Sequence, residues 1–310
     1  MAHPERLFLE FFMAHPAESG IPAELIPLLS EWLSRSIAQL PPVPVPVDWQ
    51  AMAYVWEGRQ LRAVEAVRDI SLNDLLGIDR QKQQIVQNTR QFLAGLPANN
   101  VLLTGARGGG KSSLIRALLH EFAPDGLRLI EVARDDLHQL PHIRNLIRTR
   151  PEKFIVYCDD LAFSSENEDY RALKSALDGS LQSGERNLLL YATSNRRHLL
   201  PEFMDENLPV VREDAAGRRE IHPQEAIEEK VSLSDRFGLW LPFHSLDQDG
   251  YLAIVQHGLQ QAGYSLTVVV QAEALRWAAT RGQRSGRAAA QFVRHWVGQQ
   301  QLAEHDQAEA

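Results

Sequence analysis

The sequence contains a single cysteine, Cys158, in 310 residues. One thiol closes no internal disulfide and supplies no thiolate metal cluster, so the fold must hold by packing, which suits a reducing compartment. Apolar runs of about 18 residues or more are missing as well, and without one there is no candidate membrane-spanning helix. The short apolar stretch from Leu7 to Met13 is broken by Glu10, has only Arg6 as a basic residue ahead of it and no small-residue cleavage site behind it, so a secretory signal is not expected. Positive charge is in deficit: 32 Lys and Arg against 40 Asp and Glu give −8, and any nucleic-acid contact would depend on a local patch. The expected location is cytoplasmic.

Apolar material is ample. Hydrophobic residues make up 44% and charged residues 23%, the balance of an ordinary globular chain, and the length allows two packed units or one with appendages. Residues 1–74 read as a mostly helical N-terminal region, with Leu25, Leu28, Leu29, Trp32, Leu33 and Ile37 at mixed helical spacing. A Pro-rich spacer, PPVPVPV over 41–47, favours stiff polyproline geometry, with a ligand for a proline-binding domain as the alternative. The segment AYVWEGRQLRAVEAV fits either a hairpin turning at Glu57 to Gln60 or a helix. From residue 75 the rhythm changes to short apolar runs, NVLLT, LRLIEV, FIVY, LLLYAT and LWLPF, separated by helical patterning. That alternation predicts an α/β core with a parallel sheet over 75–246. Residues 247–300 read as a small helical domain, with LTVVV at Leu266 to Val270 as an uncertain strand, and 301–310 as a disordered tail.

Gly105 to Ser112 read GARGGGKS, a full match to G-x-x-x-x-G-K-[ST], set between a strand ending at Thr104 and the helix-forming run SSLIRALLHEF. Gly105, Ala106, Arg107, Gly108, Gly109 and Gly110 make a loop whose backbone N–H groups can converge on phosphate oxygens, and the helix N-terminus adds partial positive charge. Lys111 brings a full charge toward the β and γ phosphates, Ser112 is placed to ligate Mg²⁺, and Ser113 completes the nucleotide-binding set. A glycine-rich turn that binds nothing is the bland alternative, and the order of strand, loop, Lys-Ser and helix speaks against it. The acidic half of such a site is FIVYCDD: Asp159 as partner of Mg²⁺ through water, Asp160 as the carboxylate that orients an attacking water. Two aspartates that merely end a strand and cap a helix are the competing reading. Cys158 is expected to pack within the strand.

The order of phosphate loop, Asp159-Asp160, LLLYATSN and SLSDRFG resembles the AAA+ ATPase superfamily, over roughly Leu75 to Val297. More narrowly, LLGIDRQK, NVLLTGARGGGKSS, CDDLAF, YATSNRRHLLPE and EEKVSLSDRFGLWLPF resemble a bacterial AAA+ family known only as a domain of unknown function. The resemblance implies Mg²⁺ and ATP as cofactors, a P-loop core with a C-terminal helical lid, and a homo-oligomer, as a ring or open ring. It assigns Asn195 to sensor 1, holding the attacking water; Arg236 to the arginine finger, reaching the neighbouring subunit's nucleotide; and Arg287 to sensor 2, on the lid. Leu76, Gly77 and Ile78 match the segment packed near adenine. In blander readings Asn195 simply ends a strand, and Arg236 pairs with Asp235 or Glu229 on a solvated face.

Departures from the superfamily pattern matter too. Its acidic pair ends in Glu, whereas Asp160 is one methylene shorter, which points to slow hydrolysis or to help from Glu166 or Glu168. The segment ARDDLHQLPHIRN lacks the aromatic and glycine pore loop of polypeptide-threading members, so threading is not supported. Partner contacts are expected from the N-terminal region, where the paired Phe11 and Phe12 read first as part of a small helical core and otherwise as a docking face, or from the charged segment over 205–229, by default a solvated insertion and in the sharper reading a partner-binding element. Arg276, Arg281, Arg284, Arg287 and Arg294 fall in a stretch without acids, which fits nucleotide and subunit contacts or a polyanion such as nucleic acid. The expected activity is ATP hydrolysis coupled to remodelling or assembly of a partner. The alternative is an ATP-gated binding module, with nucleic-acid loading ranked below both.

Overall fold

Near-continuous apolar strands are stable only when covered on both faces, and the chain supplies that cover from helices on either side. The structure, a computed structural model, describes residues 46–67, 69–161, 187–195, 212–213, 219–220 and 236–309. Its main sheet is built from β1 (Ala53–Glu57), β2 (Gln60–Ala63), β3 (Val101–Gly105), β4 (Leu127–Val132), β5 (Lys153–Cys158), β6 (Leu188–Ser194) and β9 (Leu239–Phe243). The order is β2-β1-β4-β5-β6-β3-β9, parallel throughout except for the antiparallel β1–β2 pair. Two short strands, β7 (Arg212–Glu213) and β8 (Arg219–Glu220), pair with each other inside the charged insertion.

Successive strand residues face opposite sides, and the two sides hold separate cores. On one side Val101, Leu103, Leu129, Ile155 and Tyr157 pack with Ile85 and Phe92 of α1 (Asp79–Leu93) and with Leu114 and Leu118 of α2 (Lys111–Phe122). On the other, Leu102, Ile130, Phe154, Val156 and Cys158 pack with Ile143 and Ile147 of α3 (Leu140–Ile147). Cys158 is fully buried there, and burial, with Asp159 second, pushes its thiol up to about 12. It is a packing residue and an inert thiol at neutral pH.

The region placed in the N-terminal extension by sequence begins the core instead. Residues 53–63 form a hairpin rather than a helix: Gly58 and Arg59 both take positive φ, 57° and 64°, the two-residue turn whose twist matches the flanking strands. Tyr54 and Trp56 are buried, and β1 pairs in parallel with β4, so the compact unit starts at Val47 rather than at 75. Residues 1–45, with Phe11, Phe12 and most of the proline run, lie outside the described residues, as do Glu166, Glu168, Glu229 and Asp235.

After β9 come α4 (Gln248–Gln261), α5 (Val268–Thr280) and α6 (Gly286–Glu309), with their own core of Tyr251, Val255, Leu259, Ala274 and Phe292. The LTVVV run is not a strand. Thr267 caps α5 by accepting the Val270 N–H at 3.4 Å, and Val268 and Val269 stand exposed in its first turn. The tail expected to be disordered from 301 is helical through Glu309, rich in good helix formers and tied back where Tyr264 Oη donates to Glu304 at 3.2 Å.

One glycine is dictated by the sheet. Gly105 has φ +128°, and a Cβ there would sit 2.0 Å from the Phe243 carbonyl oxygen on β9. Gly105→Ala is expected to cost roughly 2 to 5 kcal/mol, from backbone strain plus overpacking, read as a lower urea midpoint. An unchanged midpoint would show that β9 moves away freely.

Candidate functional site

A cleft of about 890 Å³ opens where the loop after β3 meets the ends of β5 and β6, the segment 69–78, and helices α4 and α6. The loop is shaped by left-handed glycines: Gly108 has φ +77°, and Gly110, with φ +96°, precedes the first residue of α2. Backbone N–H groups at a helix start have no intrahelical acceptor, so this end of the cleft favours anions.

Lys111 is buried at the base of the loop. Its Nζ donates to the carbonyl oxygens of Gly105 at 2.7 Å and Ala106 at 2.9 Å, and to Asn195 Oδ1 at 3.1 Å. All three ammonium donors are used. Burial lowers its pKa, with Arg287 and Arg107 adding to the effect, while Asp159 and Asp160 work against it.

Ser112 Oγ donates to Asp159 Oδ1 at 3.0 Å, joining helix α2 to the end of β5. Burial acts to raise the Asp159 pKa, but the nearby hydroxyls of Thr193, Tyr157 and Ser112 and the Asp160 amide outweigh it and hold the carboxyl below its ordinary value. Tyr157 Oη is buried close to Ser112 and Asp159 yet meets hydrogen-bond geometry with neither, and burial pushes its pKa up. Asp160 takes φ +53°, which Asp tolerates better than most residues. Its carboxylate accepts from Asn195 Nδ2 at 2.6 Å on Oδ1 and from Arg107 Nη2 at 3.4 Å on Oδ2. Lys111, Asn195, Asp160 and Arg107 thus form one chain of contacts along the cleft.

The third helix of the C-terminal group reaches the same loop. Ser285 Oγ accepts the Ala288 N–H at 3.2 Å and caps α6, while the Arg287 N–H points at Gly108 O, 3.4 Å away. A Cβ on Gly108 would come within 2.9 Å of Ser285 Oγ, so only glycine lets the loop and the helix cap approach this closely. Arg287, Ser113, Asn195, Leu76 and Ile78 line the cleft, with Gly77, at φ +74°, between the last two. Gly105 and Arg236 are not among its lining residues, and Arg236 precedes β9.

Several cleft residues escaped the sequence reading. Thr193 lies on β6 and Asn195 just past its end, and both line the cleft. Asp74 accepts from His257 Nε2 at 3.0 Å and from Gln261 Nε2 at 2.6 Å, tying the start of the core to α4. The His257 hydrogen bond, ahead of those from Ser71 and Gln261, keeps the Asp74 carboxyl below its usual range against the opposing effect of burial. No local pattern marks partners 183 residues apart.

The donor set suits Mg²⁺. A serine hydroxyl and an ionised carboxylate are hard oxygen donors, and the buried Tyr157 hydroxyl beside them has no hydrogen-bond partner among the described residues. No group of three or more His, Cys, Asp or Glu able to hold an ion occurs among the described residues, so a cation here would rest on few protein oxygens and share those of a ligand. Nor is any described helix long and apolar enough to cross a membrane.

A family described as "Protein of unknown function (DUF815)" matches residues 49–300. The chain belongs to that family. Its boundaries agree with a compact unit that starts at Val47. Among solved structures, a variant of Thermotoga maritima RuvB aligns with TM-score 0.51 and 14% identity, over 77% of this chain and 68% of that one. The FIGL-1 AAA domain in complex with ADP aligns with TM-score 0.48 and 17% identity, over 75% and 74%. In other RuvB alignments the chain spans 64% of that protein's length. No curated protein matches the chain. The RuvB likeness and the sheet order show that this DUF815 chain has the AAA+ α/β fold with C-terminal helices; at such identity the fold is all the likeness shows.

Proposed function

We propose that the cleft binds Mg-ATP and hydrolyses it, and that hydrolysis drives remodelling or assembly of a partner by a homo-oligomer of this chain. The observation that carries the reading is the 3.0 Å hydrogen bond between Ser112 and Asp159, which brings a phosphate-binding loop and a carboxylate-tipped strand to one point beside buried Lys111.

In this reading the amides of Gly108 to Lys111 and the Lys111 ammonium bind phosphate oxygens. Lys111 leaves its loop carbonyls for oxygens that carry more charge. Ser112 and Asp159 would hold Mg²⁺, which supplies positive charge against the phosphates. Asp160, aimed by Asn195, orients the attacking water and accepts its proton. Arg287, presented by the α6 cap, stabilises charge from the lid side. Leu76, Ile78 and Leu246 offer an apolar wall for the base. Arg236 does not line its own chain's cleft, the placement required of a guanidinium supplied to the next protomer.

The test is direct. Titration calorimetry with Mg-ATP is expected to show saturable binding that weakens strongly in EDTA, and purified protein is expected to release phosphate steadily. Lys111→Ala should lose both; a variant that binds and turns over like the native chain would overturn the reading. An ATP-gated module with incidental hydrolysis is favoured by one observation, the engagement of the short Asp160 carboxylate by Arg107. It predicts ATP-dependent self-association with negligible turnover.

A further inference from the structure

Parallel pairing between β5 and β6 runs as far as Cys158 with Ala192, and the next two residues of β5's strand end, Asp159 and Asp160, leave the ladder. At that point the Asp160 backbone turns left-handed, so its N–H no longer meets a strand carbonyl. A backbone donor that leaves the ladder takes another acceptor where one is in reach. It finds Thr193 Oγ1 at 3.0 Å, while the Thr193 backbone carbonyl takes the Leu161 N–H at 2.6 Å. Thr193 is 1% exposed.

The polarity of this hydroxyl is then fixed. A threonine hydroxyl has one proton, and a backbone N–H can only donate, so the Thr193 proton must point elsewhere. It points at Asp159 Oδ1, 2.5 Å away. Ser112 Oγ at 3.0 Å and the Asp160 N–H at 3.2 Å address that same oxygen. Three donors on Oδ1 orient the carboxylate and direct its other oxygen away from them. One buried side chain therefore sets the carboxylate proposed for the metal and the backbone turn that aims the carboxylate proposed for water.

We infer that Thr193 is a positioning residue that locks Asp159 and Asp160 into one arrangement, so that metal-dependent nucleotide binding and turnover both depend on its hydroxyl. The inference rests on the Mg-ATP reading above and extends it to a cleft residue to which the motifs assign no role.

The experiment compares native chain, Thr193→Val and Thr193→Ser. Valine keeps the shape and removes the hydroxyl; serine keeps the hydroxyl and loses a methyl. Calorimetry with ATP is run in Mg²⁺ and in EDTA, and phosphate release is measured across Mg²⁺ concentrations. For Thr193→Val the expected results are a loss of most of the Mg²⁺-dependent gain in ATP affinity, a higher Mg²⁺ requirement, and a kcat lower by roughly 10- to 100-fold, as for loss of a hydrogen bond to a charged group. Binding in EDTA should change little, because the loop amides are untouched, and Thr193→Ser should recover most of the lost turnover. Circular dichroism melts check folding, and if the valine variant unfolds, serine against alanine at the same position supplies the comparison. A native chain with no Mg²⁺-dependent gain overturns the Mg-ATP reading together with the inference. A native gain that the variant lacking the hydroxyl retains in full, or a serine variant no better than that variant, overturns the inference alone.

Discussion

Replacing Asp160 by Asn is expected to slow phosphate release about 10²- to 10⁴-fold, the usual range for loss of a general base, while Mg-ATP binding stays near native. Geometry makes this substitution clean. The φ of +53° at position 160 is one that Asn adopts at least as easily as Asp, so the backbone has no reason to move. The amide oxygen can still accept from Asn195 Nδ2, and what disappears is the negative charge and the contact with Arg107. That exposed pair is worth little in itself, so stability should hardly change. Single-turnover phosphate release with equilibrium binding measured alongside checks the separation of kcat from affinity. If turnover survives, the proton acceptor is another group, with Glu166 and Glu168 as the next acids downstream. Lengthening the side chain instead, by Asp160→Glu, is expected not to help: glutamate is poorly suited to a left-handed backbone, and its extra methylene would displace the carboxylate from Asn195.

That left-handed turn also marks where sequence reasoning stops being local. The strands were readable because each is a short, almost unbroken apolar run: LRLIEV and LWLPF coincide with β4 and β9 end to end. The phosphate loop was readable because its chemistry is contiguous, with lysine and serine held at fixed spacing from the glycines. The hairpin over 53–63 was not, since a few alternating residues fit two periods, and what decides is pairing with β4, whose register sets Ala53 opposite Leu129. The helical domain misled in the first turn of α5 for a related reason. Three valines carry strand propensity, but a helix start capped by Thr267 overrides it. In the cleft, Asn195 was found through its match to the sensor 1 position of the family it resembles, whereas Thr193, two residues earlier, has no such motif role. Asp74, His257 and Gln261 meet only after the C-terminal helices dock on the core, and nothing in their neighbourhoods announces it.

Arg236→Ala should be as damaging as the loss of Asp160 but through a different subunit. An arginine acting on a transferred phosphoryl group is worth about 10³ to 10⁵ in turnover, so the purified variant should be nearly inactive while it still binds Mg-ATP. Binding survives because Lys111, the loop and Arg287 are all contributed by the chain that owns the cleft. The decisive measurement is a mixture. When Arg236→Ala protomers are combined with Asp160→Asn protomers, a cleft with an intact Asp160 can face a neighbour with an intact Arg236, and phosphate release should reappear above either variant alone. Its magnitude should vary with mixing ratio and pass through a maximum, because it counts junctions of one orientation. Residue 236 immediately precedes buried Phe237 and edge strand β9, so alanine there removes a partly exposed guanidinium and leaves the strand anchored. Were Arg236 only a surface charge, the single variant would keep its turnover; were it acting within its own chain, the mixture would stay as inactive as its parts.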